Sequence, residues 1–162
     1  MRGDKVVGFM NRIQEKISDV EYILIASIIS FVLQIPLQIL ENLYERYFGS
    51  INTYSLAKPE VFIWISSILI GPIIESVLLV FLIKVLKNKF HILKKVKLFI
   101  IATVIFTILH YYSFIYIMLV FPNCLIIIYS YMYYKPKKLS SFKIMLFVHM
   151  VINTYMMVLS KL

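Results

Sequence analysis

Long apolar stretches separated by short clusters of charge organise this chain. They run from about Tyr22 to Leu40, Val61 to Ile83, Leu98 to Tyr134 and Ile144 to Leu159. Runs of about 20 apolar residues predict membrane-spanning helices. The third stretch carries no formal charge apart from any protonation of His110. As a single helix it would be about 55 Å long, nearly twice the hydrocarbon thickness. It must therefore turn back, and the turn is expected between Tyr112 and Pro122, giving spans of about 98–113 and 117–134. The pattern predicts an all-α polytopic membrane helix bundle of about five transmembrane helices.

The connections agree with this division. Residues 1–21 read as a cytoplasmic N-terminal segment with Val6, Val7, Phe9, Met10, Ile13 and Ile17 available to lie on the bilayer surface. This segment is long and acidic for a secretory leader, so the first helix is expected to remain as an anchor. Residues 22–162 then form a single transmembrane domain. Residues 41–60 read as a polar connection. Pro36 predicts a kink in the first span, and Gly71-Pro72 predicts a break in the middle of the second.

Composition and charge narrow the picture. The chain is 61% hydrophobic, above the roughly one-half of a soluble domain, which argues against a water-soluble fold. Its net charge of +9 lies in the connections and at the ends, without the interleaved aromatics of a nucleic-acid stripe. If the five spans alternate sides, 14 of the 17 Lys and Arg residues fall on one face. The positive-inside rule then makes this a multi-pass cell-membrane protein with a cytoplasmic N-terminus and an outer C-terminus. The single cysteine, Cys124, excludes an intrachain disulfide and reads as a small buried hydrophobe.

Against this background Glu75 stands out. It is the only acidic residue after Glu60, and it lies inside an apolar span. A carboxylate there costs roughly 2.5 to 3.5 kcal/mol on insertion scales, so it marks a functional site by default. Two other spans carry ionisable groups, Phe106-x-x-x-His110 and His149-x-x-x-Asn153. Spacing of four puts His149 and Asn153 on one helix face, which should turn away from lipid. The third histidine, His91, lies among lysines in a loop and reads as a surface residue. Taken singly, Glu75 can be a protonated buried acid, His110 a satisfied core histidine, and His149 with Asn153 interhelical glue. Taken together, they predict a site between helices 2, 3 and 5. A buried carboxylate can serve as general base toward water, a neighbouring histidine can share its proton, and a second histidine with an amide can stabilise an oxyanion. The set Glu75, His110 and His149 can instead hold a divalent metal such as zinc. There is no His-Glu-x-x-His motif, so the zincin arrangement is absent.

These segments, in this order, resemble the CPBP family: the type II CAAX prenyl proteases and the Abi group of bacteriocin-processing or self-immunity proteins. That family carries Glu-Glu-x-x-x-Arg after a Pro-Ile pair, then Phe-x-x-x-His, then His-x-x-x-Asn. Here Pro72-Ile73 precedes Glu75, and the second and third motifs fit at Phe106 to His110 and His149 to Asn153. The resemblance covers about residues 60–157. Two positions depart from it: Ser76 replaces the second Glu, and Val80 stands where Arg is usual. The resemblance implies an intramembrane endopeptidase in which Glu75 activates water with His110 while His149 and Asn153 hold the oxyanion. Its substrate would be a peptide or small membrane-associated protein, with prenylated CAAX tails as one possibility. The departures leave open a bacteriocin self-immunity or membrane-partner binding protein with an impaired site. A proton-relay transporter is a third reading, which no inverted repeat or pair of matched broken helices supports.

Overall fold

The structure, a computed structural model, describes residues 16–49, 60–111 and 113–159. Among these residues the fold is all-helical: α1 (Asp19–Phe48), α2 (Glu60–Asn88), α3 (Lys95–Ile108), α4 (Phe114–Met132) and α5 (Ser141–Leu159). Four of the five, all except α3, are long and apolar enough to cross a membrane. Most of the expected surface segment at the N-terminus and much of the expected 41–60 connection lie outside the described residues. The described part of that connection is helical, because α1 continues to Phe48 and closes at Gly49, whose φ of +89° suits glycine.

The pattern of burial is that of a bundle in lipid. Each helix contributes a narrow inner stripe and leaves large apolar side chains outside. On α2 the buried positions are Pro72, Ser76, Leu79, Ile83 and Leu86, at alternating spacings of four and three. Ile73, Ile74, Val77, Leu78 and Phe81 face outward on the same helix. On α5 the inner stripe is Ile144, Met145, Val148, His149 and Ile152. An exposed apolar surface of this extent is stable only in an apolar solvent. The chain is a multi-pass membrane protein.

α4 and α5 form the centre. α1 packs on both of them, α3 packs on α4, and α2 packs on α5 and α3. The end of the bundle at the α3–α4 turn shows the first difference from expectation. The chain turns back between Ile108 and Phe114, earlier than expected, and Pro122 lies well inside α4. Ser113 starts α4 by accepting a hydrogen bond from the Tyr116 backbone N–H. Helix α4 continues through Pro122, which offers no N–H to the Met118 carbonyl one turn back. The Gln34 amide of α1 donates to the Leu119 carbonyl in the preceding turn. One turn of α1 away, the Ser30 hydroxyl donates to Asn123. Beyond these bonds Leu37, Leu40 and Tyr44 of α1 face Ile115, Met118 and Leu119 of α4 across a small apolar groove.

The opposite end of the bundle is fixed by Asp19. Ser18 and Glu21 form a reciprocal cap that starts α1. This points the buried Asp19 carboxylate into the α4–α5 connection. One oxygen accepts from the Tyr134 hydroxyl and the Lys137 N–H, both at 2.9 Å. The other accepts from the Lys138 and Leu139 N–H groups, both at 2.8 Å. Tyr22 stacks on Tyr134 with ring centroids 3.6 Å apart, and its hydroxyl meets Ser130. Replacing Asp19 with Ala strands three backbone donors and a phenol. The loss should be on the order of 2 kcal/mol or more, since each buried donor left unpaired costs about 1–3 kcal/mol. Asp19→Ala is therefore expected to unfold at a clearly lower temperature in detergent, and an unchanged melting curve would refute this role.

Candidate active site

Three of the four residues singled out by the sequence, Glu75, His110 and His149, come together at mid-height in the bundle, on α2, in the turn just after α3 and on α5. Glu75 lies fifteen residues after the start of α2 and thirteen before its end. His149 is also near the middle of its helix, eight residues from Ser141 and ten from Leu159. His110 reaches the same level because α3 stops at Ile108. Its backbone N–H bonds to the Thr107 carbonyl in a tight turn. Counted from the helix ends at the basic loop, His110 lies fifteen residues past Lys95 and Glu75 thirteen before Asn88, about 22 and 20 Å at a helical rise. Their depths match because α2 continues beyond the expected limit at Ile83.

Both imidazoles converge on one carboxylate oxygen. His110 Nε2 and His149 Nε2 each lie 3.3 Å from Glu75 Oε2. The protons can be assigned from the remaining contacts. His110 Nδ1 is 2.7 Å from the Phe106 carbonyl, which can only accept, so Nδ1 carries a hydrogen. The contact between His110 Nε2 and Glu75 Oε2 then contains one shared proton, carried by either the imidazole or the carboxyl. Phe106 also sets the ring edge-on, with centroids 4.9 Å apart. That gives the Phe-x-x-x-His spacing a mechanical meaning, since the same residue holds the ring with its carbonyl and with its side chain. His149 Nδ1 is buried with no partner among the described residues, which leaves its Nε2–H to face the carboxylate.

Glu75 differs from its partners in accessibility. Its side chain is 35% exposed, against 20% for His110 and 5% for His149. The carboxylate can be reached by a small molecule while the imidazoles behind it are held. Its second oxygen, Oε1, lies over Gly71: a Cβ at that position would meet Oε1 at 3.7 Å and the Ser66 carbonyl at 3.0 Å. Asn153 is brought close by α5, and its amide nitrogen donates to the Ser67 carbonyl at 2.8 Å. That partner was not evident in the sequence, although Gly71-Pro72 marked where the backbone would be irregular.

The departures from the family pattern take no part in these contacts. Ser76 is fully buried on the inner stripe of α2, and Val80 packs against the core. Cys124, on the facing side of α4, is buried against the Thr107 hydroxyl, consistent with its expected role as a small core residue. His91 is exposed in the α2–α3 connection, as expected. Among the described residues no group of three His, Cys, Asp or Glu side chains is disposed to hold a metal ion.

A carboxylate and two histidines thus meet between apolar helices. Residues 56–155 match the family described as type II CAAX prenyl endopeptidase, Rce1-like, and the chain belongs to that family of CAAX-type intramembrane proteases. No curated protein and no solved structure matches it. The match covers α2 to α5 nearly whole and so includes all four site residues.

Gly71 offers a test of this packing. Alanine is favoured in a helix by about 1 kcal/mol over glycine, but overpacking typically costs about 1–3 kcal/mol. The close Ser66 carbonyl belongs to the backbone and cannot swing aside. Gly71→Ala is expected to be net destabilising, by about 1 kcal/mol, as read from thermal unfolding in detergent. A stabilised variant would show that the helix here has room to spare.

Proposed function

We propose that this protein is an intramembrane endopeptidase in which Glu75 activates water without a metal ion. The observation that carries the reading is the convergence of two imidazoles on one carboxylate oxygen while the carboxylate stays partly open. A water bound to the free Oε1 attacks the scissile carbonyl carbon and gives its proton to Glu75. As Glu75 becomes neutral, Oε2 is a weaker acceptor, and the His149 Nε2–H turns to the developing oxyanion. The Asn153 amide has two N–H groups. One is used by Ser67, and the other donates to the same oxyanion. Collapse of the tetrahedral intermediate expels the amine, which takes its proton from the Glu75–His110 pair. Each part has a known scale: proton transfer by a positioned side chain contributes about 10²–10⁴-fold, and one oxyanion donor about 10²–10³-fold.

The substrate in this reading is a peptide or membrane-associated protein whose scissile bond reaches the middle of the bundle. A prenylated C-terminal tail is the first candidate, given the family. Such a substrate presents its cleavage site next to a lipid anchor, which suits a bundle whose outer surface is apolar. We place the protein in the cell membrane with its N-terminus in the cytoplasm and its C-terminus outside, on the distribution of lysines. A second reading, a self-immunity or partner-binding protein, is favoured by Ser76 and Val80 at positions where the family carries charge. It is the weaker one, because neither side chain takes part in the contacts that the two imidazoles make with Glu75.

The purified chain, reconstituted in lipid, should cleave members of a peptide library that includes prenylated and unprenylated tails. Glu75→Gln should lower the rate by at least about 10³-fold, and His149→Ala by about 10²–10³-fold. Cleavage that survives both changes would sink the assignment. Protection against a bacteriocin that persists in both variants of a non-cleaving parent would favour the binding reading. Loss of activity on chelation, restored by zinc, would replace the metal-free mechanism with a metal-dependent one.

A further inference from the structure

Asn153 has a duty that its place in the motif does not announce. Between Ser66 and Ile70 the backbone of α2 widens into a π turn, and the Gly71 N–H bonds to the Ser66 carbonyl five residues back. In a regular α-helix that N–H would serve Ser67. In the widened register the donor for Ser67 would be residue 72, which is proline and has no N–H. The Ser67 carbonyl is thus a backbone acceptor left without a helical donor where the two registers meet. The Asn153 amide fills it from the neighbouring helix at 2.8 Å. In an apolar environment an unmet carbonyl costs several kcal/mol, so the partner is obligatory rather than decorative.

The location gives this bond its consequence. A π turn inserts one extra residue and rotates everything after it relative to what came before. Glu75 lies in the first turn after that insertion, three residues past Pro72. On α5, Asn153 lies one turn from His149 on the same face. One helix face therefore holds both the broken backbone before Glu75 and the imidazole that meets Glu75. We propose that Asn153 is a positioning residue for Glu75: its amide splints the break made by Pro72 and fixes the angle at which α2 delivers the carboxylate to His110 and His149. This duty is additional to any contact with an oxyanion, because the amide has a second N–H. The proposal deepens the catalytic reading above, yet it concerns the resting protein and does not need a substrate.

The test uses the full chain in lipid nanodiscs with ¹⁵N-labelled histidine, reading the Nε2 resonances of His110 and His149 alongside thermal unfolding. The variants are Asn153→Ala, Asn153→Gln, Pro72→Ala and the double variant of Asn153→Ala with Pro72→Ala. Asn153→Ala should shift both Nε2 resonances and lower the melting temperature, and Asn153→Gln, which keeps a donor, should restore part of each. Pro72→Ala returns a backbone N–H to the break. In that background the added effect of Asn153→Ala should fall to less than about half, since residues acting through a shared group are non-additive. If Asn153→Ala does not fold, recovery of folding in the double variant supports the proposal and failure to recover overturns it. Additive effects overturn it as well. So do unmoved histidine resonances in a folded Asn153→Ala protein, even if its cleavage is slow. A parent that cleaves nothing while showing the non-additive resonance shifts would remove the protease reading and leave the splint standing.

Discussion

One carboxylate in an apolar bundle sets the terms for the rest of the molecule. Glu75 cannot face lipid at low cost, so it needs donors from its neighbours, and the bundle supplies two on the same oxygen. Each donor constrains a different part of the chain. His149 ties α2 to α5. His110 ties α2 to the end of α3 and requires that helix to stop where it does. The Phe106 carbonyl then fixes the His110 ring, and with it the direction of the shared proton. Shifting any of the three helices along its axis by one turn, about 5.4 Å, would separate these contacts.

Backbone irregularity and function meet on α2. Gly71-Pro72 looked like a simple break, with the freed group satisfied by protein or a cavity. The structure gives this break a form: a π turn, a leftover carbonyl and a side chain from α5 that answers it. Proline creates the opening, and glycine permits the close approach of the Ser66 carbonyl and of Glu75 Oε1. The expected oxyanion residue is also the residue that completes the backbone, so the His-x-x-x-Asn pair spends one side chain on the carboxylate and the other on the helix that carries it.

Much of this was legible because hydrophobic runs and rare charges are strong signals in a membrane chain. The helical class and the grouping of Glu75, His110 and His149 followed from them, while the family came from the resemblance of three short motifs in order. The limits lay where the signal is local geometry. The α3–α4 turn was expected a few residues too late because nothing in an uncharged apolar run marks it, whereas the cap made by Ser113 starts α4 earlier. α1 was ended too early because polar residues such as Asn42, Glu41 and Glu45 remain compatible with a helix at the membrane rim. Asp19 was one charge among many in the N-terminal region. Its value comes from three backbone donors more than a hundred positions away, and no spacing rule connects them.

The short α3–α4 hairpin bears on how water reaches a buried carboxylate. Gln34 and Leu119 fix the register of α1 against α4. From that level α1 continues for fourteen residues to Phe48, while α4 extends only five residues back to Phe114. At 1.5 Å per residue α1 stands about 13 Å higher than the start of α4. α2 likewise rises fifteen residues above Glu75, whereas the turn holding His110 is already the summit of its hairpin. The bundle is thus a low platform beside tall walls. From the ends of the tall helices the shortest way down to Glu75 and His110 therefore runs over this low hairpin.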